Sequence, residues 1–205
     1  MEKIKNLFSH GRLRVIKWVV FVLLAGYVIL VIVRVVQLSN ADKTEAQVAK
    51  IHAAKLQLSD VMGDNLPPEP GEEADETLAG VDANQNGIRD DVELAIFEAY
   101  PDSARARAVL LQYALSLHME FTQPMMNNII ATEIAREQSR GFECVGEILS
   151  RDSETFDDKL DELIKFVEIN EFDTGQRKDD RNAFTGKVRS YSSLDRMCDI
   201  DLETL

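Results

Sequence analysis

With 205 residues, 45% of them hydrophobic, and a formal net charge of −13, the chain has room for one ordinary domain plus a tail. The charge is uneven: residues 1–40 carry six Lys/Arg against one Glu, and the remainder holds 17 Lys/Arg against 35 Asp/Glu. A domain that acidic repels nucleic acid and anionic lipid, which excludes both as its partners.

The chain opens on a basic segment, residues 1–14, with Lys3, Lys5, Arg12 and Arg14. No charge falls between Trp18 and Val33. Residues 15–36 make 22 positions, about 33 Å of helix at 1.5 Å per residue, enough for a hydrocarbon core of roughly 30 Å. This segment is a predicted transmembrane helix, with Lys17 and Arg34 reaching toward the interfaces and Trp18 as an anchor. The basic flank puts residues 1–14 in the cytoplasm and the rest across the membrane, as in a single-pass inner-membrane protein with a periplasmic domain. The rival is a cleaved signal peptide cut near Ser39-Asn40-Ala41; the apolar run exceeds the usual length, and Arg34 interrupts the approach to that cut.

Residues 37–62 are rich in Ala, Lys, Gln and Leu, with no Gly or Pro before Gly63, and predict a helical stalk. Val48, Ile51, Leu58 and Met62 fall near a heptad seam that Lys55 interrupts, compatible with a homo-oligomer through the stalk. His52 has no metal-spaced partner and reads as solvated. Residues 63–81 hold Pro67, Pro68, Pro70, Gly71 and a run of acids, the composition of a semi-extended linker.

Residues 82–93 read Asp-Ala-Asn-Gln-Asn-Gly-Ile-Arg-Asp-Asp-Val-Glu. Oxygen side chains at positions one, three, five, nine and twelve, with glycine at six, are what a Ca²⁺ loop requires. Asp82, Asn84 and Asn86 would supply side-chain oxygens and Ile88 its carbonyl. Asp90 would act directly or through water, and Glu93 would bind with both oxygens. Gly87 permits the sharp turn. Oxygen-only ligands suit a hard cation, and three formal charges imply weak affinity, about 10⁻⁵ to 10⁻³ M. The same residues also make an Asn-Gly turn and an Asp90–Glu93 capping box, which account for half of the pattern without an ion.

The run Asp82, Asn84, Asn86, Gly87, Asp90, Glu93 resembles the calcium loops of thrombospondin type 3 repeats and dockerins, EF-hand relatives that lack the entering helix. The phrase Asn-Gly-Ile-Arg-Asp-Asp also looks like one in exported proteobacterial proteins that carry a helical domain after the loop. Arg89 stands where an EF-hand has the aliphatic residue that pairs with a second loop. The chain offers no second loop, so a paired sensor that opens a groove is not expected.

From residue 82 to 205 the periodicity predicts an all-α domain of about five helices. They run from Asp91 to Tyr100, Ser103 to Phe121, Pro124 onward with a break at Gly141, Ser153 to Ile169, and Thr174 to Tyr191. His118 lies beside the apolar face of the second and reads as packed. Met119, Met125 and Met126 read as core filling. Cys144 and Cys198 are candidates for one disulfide in an oxidising compartment. Histidines occur only at 10, 52 and 118, and no nucleophile, zinc or phosphate-loop motif occurs. A non-enzymatic envelope adaptor with a structural Ca²⁺ site and a protein partner is the expectation. A calcium-responsive regulator and a carboxylate hydrolase are the alternatives.

Overall fold

The structure, a computed structural model, describes residues 10–194 and 197–205, with side chains from residue 14 onward. Most of the expected cytoplasmic tail, residues 1–9, lies outside the described residues. The described residues are all-helical, without strands: α1 (His10–Ala53), α2 (Leu58–Met62), α3 (Asp90–Ala99), α4 (Ala104–Thr122), α5 (Asn128–Gly146), α6 (Phe156–Glu171) and α7 (Gly175–Thr185). Short 3₁₀ turns add Gly71–Asp75 and Leu202–Thr204.

The chain divides into two compact units at Ala46/Gln47. In the first, α1 is long and apolar enough to cross a membrane, and none of its apolar window is buried. Valine, isoleucine and leucine side chains along it stand exposed from Val15 to Leu38.

The second unit begins inside α1, well before the loop. Ile51, expected on a seam facing a second copy, is wholly buried in this chain's own core. The stalk helix, expected to run to residue 62, stops at Ala53 because Leu56 turns inward and its N–H donates to Asp199 Oδ2 at 3.1 Å. A new start follows at Gln57, whose N–H donates to Asp60 Oδ2, and α2 ends on Gly63 at φ 77°. A side chain at Gly63 would meet the Phe97 ring at 2.9 Å. His52, expected in solvent, lies between two glutamates of α5, Nε2 2.9 Å from Glu133 and Nδ1 2.6 Å from Glu137.

α4 is the axis of this unit and is buried on all sides from Ala106 to Glu120. Ser103 caps it, its hydroxyl accepting from Ala106 N. It packs most extensively on α5, then on α6 and α3. Gly141, expected to break α5, lies within it: a Cβ there would stand 3.1 Å from Tyr113 Cα, so the glycine serves close helix approach rather than a break. α5 begins at Asn128, capped by Asn127 rather than started at Pro124. α7 ends at Thr185, short of the predicted Tyr191, which is exposed.

Cys144 and Cys198 are joined as a disulfide. It ties the C-terminal segment to α5, and Gln112 of α4 holds the same segment by donating to Met197 O and accepting from Asp199 N, both at 2.7 Å.

Candidate metal centre and the arginine lattice behind it

The loop 82–93 folds on its own side chains. Asp82 accepts from Asn86 N (Oδ1, 3.1 Å) and Gly87 N (Oδ2, 2.9 Å). Asn84 Oδ1 accepts from Asn86 N at 3.3 Å and Asn86 Oδ1 from Ile88 N at 2.8 Å, two successive side-chain turns. Gln85 and Gly87 take the left-handed conformation at φ 58° and 86°. A Cβ on Gly87 would stand 2.8 Å from Leu115 Cδ1, so the loop's tip lies directly on α4. Ile88 is buried in the core and anchors the loop from the other side.

Asn84 and Asn86 meet Glu93 directly, while Asp82 bonds the backbone of Asn86 and Gly87; Asp90 lies near enough for its charge to act on Glu93 and to feel that of Asp82. Both Asp90 oxygens accept from Ala83 N, at 3.0 and 3.1 Å, which pins the loop's entrance to the start of α3. Glu93 is buried, and its Oε2 accepts from the side-chain amides of Asn84 and Asn86, each at 3.0 Å. Burial pushes the Glu93 carboxyl up to about 7 and raises Asp90 as well. Two neutral amide donors thus stand where a loop of this kind would bring a cation to its closing glutamate. For Asn84 and Asn86 to ligate, each amide must turn so that oxygen replaces nitrogen, and Asn86 must release Ile88 N–H. Among the described residues, no group of three or more His, Cys, Asp or Glu is arranged to hold a metal ion. A cation here would rest on carboxylates, turned amides and a backbone carbonyl together, the ligand set of a hard ion.

Arg89, at position eight of the loop, turns into the domain. It is 1% exposed, and its guanidinium donates to Asn170 O (2.5 Å), Glu171 O (3.1 Å), Asp173 Oδ2 (2.9 Å) and Asp91 Oδ1 (2.5 Å). It therefore satisfies the terminal carbonyls of α6, which the helix itself leaves unbonded. Arg177 of α7 does the same for the segment expected to be a free linker. Also 1% exposed, it donates to Ala74 O (2.5 Å), Thr77 O (3.1 Å), Leu78 O (3.0 Å) and Asp75 Oδ1 (2.8 Å). Its remaining contact is Asp173 Oδ1 at 2.6 Å, so one carboxylate bridges both arginines. Burial opposes ionisation of Asp173, and Arg177 and Arg89 overcome it, holding the carboxyl below the usual range. Gly80, at φ 62°, is where the segment passes Arg89; a Cβ there would lie 2.6 Å from Arg89 Cδ.

A second polar group lies deeper. Glu120 of α4 accepts from Gln138 Nε2 at 2.7 Å and from Arg181 Nη1. His118 Nδ1 lies 2.8 Å from Glu171 Oε1, both groups fully enclosed, so His118 is packed as its helix position predicts. Glu120 Oε2, Glu171 Oε2 and His118 Nε2 have no hydrogen-bond partner among the described residues. Burial pushes the Glu120 carboxyl from 4.5 up to about 7, against the pull of Arg181 and Gln138. The folded protein therefore keeps a proton that the unfolded chain releases. The stability this group contributes is complete below pH 4.5 and is lost as pH rises through about 7. Glu120→Gln should remove that slope, up to roughly 3 kcal/mol across the window. Urea midpoints of both proteins at pH 5 and pH 8 check it; parallel pH dependence would remove Glu120 as its source.

No protein-family model, curated protein or solved structure matches the chain. The functional reading accordingly rests on its own residues.

Proposed function

We propose that this protein is a membrane-anchored, non-enzymatic envelope component whose loop 82–93 binds Ca²⁺ as a structural clamp. Residues 15–36 would hold it in the inner membrane, N-terminus in the cytoplasm, and the helical domain would stand in the periplasm as an accessory or adaptor for another envelope protein. The lipid bilayer and that protein are its partners in this reading, nucleic acid is not, and a second copy of the chain remains compatible through residues 37–46. The resemblance to thrombospondin type 3 and dockerin loops is part of the same proposal.

The observation that supports the calcium reading is the convergence of Asn84 and Asn86 on a buried Glu93, within a loop that Asp82 folds by accepting from the backbone of Asn86 and Gly87. Arg89 fastens that loop to the end of α6, so an ion here would stiffen a junction between distant parts of the domain. Full-length protein in nanodiscs should melt at a higher temperature in millimolar Ca²⁺ than in EDTA, with Mg²⁺ giving no comparable rise. Asp82→Ala should abolish the shift, and Glu93→Ala should weaken Ca²⁺ binding. Unchanged melting up to millimolar Ca²⁺ reduces the loop to a capped turn.

A calcium-responsive regulator is the second reading, favoured by one feature: the Asn84 and Asn86 amides donate to Glu93 and would have to turn to ligate an ion, so binding would rearrange the loop. An affinity near ambient Ca²⁺ selects it over the clamp. A carboxylate hydrolase fits less well, because Glu120, the raised carboxylate of the α4–α5–α7 core, has no exposed side-chain surface.

A further inference from the structure

Toward the C-terminal end of α7, one to two turns beyond Arg177, a groove of about 470 Å³ opens between α4, α5, α7 and the residues that follow α7. It is open to solvent and large enough to seat a small molecule. Ala135, Phe142, Phe184 and Val188 contribute apolar wall, and the hydroxyls of Ser139 and Tyr191, 2.6 Å apart, stand at its side. Arg181 lines the same groove. It is not a solvated surface arginine: its guanidinium lies over the Phe172 and Phe184 rings at 5.2 and 5.8 Å, and Nη1 is held by Glu120 and Gln138 Oε1. Packing and these bonds fix the fork, yet Nε and Nη2 meet no acceptor among the described residues, and the side chain remains 27% exposed. A positioned guanidinium with two unspent nitrogens at the wall of an open, partly apolar groove is a recognition group for a planar anion.

We infer that the α5–α7 groove is a binding site for a monocarboxylate carried on an apolar or aromatic body. The carboxylate pairs with the free edge of Arg181, the body lies against Phe142, Phe184 and Val188, and the Ser139–Tyr191 hydroxyls meet its second oxygen or a bridging water. Two acids set the charge. Glu120 beneath Arg181 and Glu143 in the groove wall offset the arginine, so a ligand is held by the guanidinium fork rather than by net charge, and a dianionic phosphate meets about twice the repulsion of a single carboxylate. This site shares no residue with the loop 82–93 and does not depend on calcium.

The test uses full-length protein in nanodiscs of zwitterionic lipid, with 3-phenylpropionate as probe and 3-phenylpropanol and phenyl phosphate as comparators. Binding is followed by saturation-transfer NMR against empty nanodiscs. The carboxylate should bind saturably at about 0.1–1 mM, and the alcohol and the phosphate at least about tenfold more weakly. Arg181→Lys, which keeps the charge but loses the fork, should weaken the carboxylate about tenfold or more. Because Arg181 also supports Glu120, Ser139→Trp serves as the second variant: it fills the groove from a half-buried position and should abolish binding with an unchanged circular dichroism spectrum. Absence of saturation below about 10 mM, equal binding of the alcohol, or undiminished binding in Ser139→Trp overturns the assignment.

Discussion

Arg177→Met should destabilise the helical domain by about 3–5 kcal/mol, the range for removing one partner of a buried charged cluster. The side chain carries no exposed surface of consequence and serves three backbone carbonyls, Ala74, Thr77 and Leu78, together with Asp75 and Asp173. Methionine fills much of the volume but donates nothing. The carbonyls lose their donor, and Asp173 keeps its charge with only Arg89 to balance it. The first structural consequence should be release of residues 74–80, visible as rapid amide exchange there while α4 and α5 stay protected. Urea unfolding of the full chain in nanodiscs measures the energy. A loss under about 1 kcal/mol would show that these residues are held by something other than the arginine.

Reducing the Cys144–Cys198 bond should cost about 4 kcal/mol, the chain-entropy value for a loop closed over a separation of 54 residues. The bond acts mainly on the unfolded chain, so the native tail should change little at first. Gln112, Arg140 and Leu56 still hold Met197 and Asp199 through hydrogen bonds of 2.6 to 3.1 Å after reduction. Cys144→Ser with Cys198→Ser should therefore show a lowered urea midpoint with nearly native circular dichroism. An unchanged midpoint in the double variant would mean that the unfolded chain gains no freedom from losing the link.

Residues that act through their immediate neighbours were legible before any tertiary structure. The uncharged run from Trp18 to Val33 requires no partner to be identified as a long apolar helix, and α6 follows its own period through Phe156, Leu160, Ile164 and Val167. Ser103 was placed at the start of a helix and caps it. Asp82 and Asn86 close turns on amides two to five residues away, so their spacing carries the loop's shape directly. Where neighbours along the chain were not the deciding contacts, local patterns misled. Glycine 141 is a breaker by composition and a contact residue by packing. His52 lacks any histidine-spaced partner in sequence, yet its neighbours Glu133 and Glu137 come from a helix far along the chain.

The amino-acid order by itself determined the all-helical class, the apolar N-terminal helix, the side-chain turns of residues 82–88 and the packed position of His118. The expected Asp90–Glu93 capping box does not form, because Arg89 is the N-cap and both carboxylates bond the loop instead. Only the tertiary structure decided that residues 74–80 are fastened rather than free, that Arg89 closes the end of α6, and that Glu120 and Arg181 meet. The reason lies in what the arginines bind. Most acceptors of Arg89 and Arg177 are backbone carbonyls, which every residue possesses, so no side chain at positions 74, 77, 78, 170 or 171 announces the contact. Such a partnership becomes visible only when the fold carries a buried guanidinium to carbonyls that no helix or strand has already used.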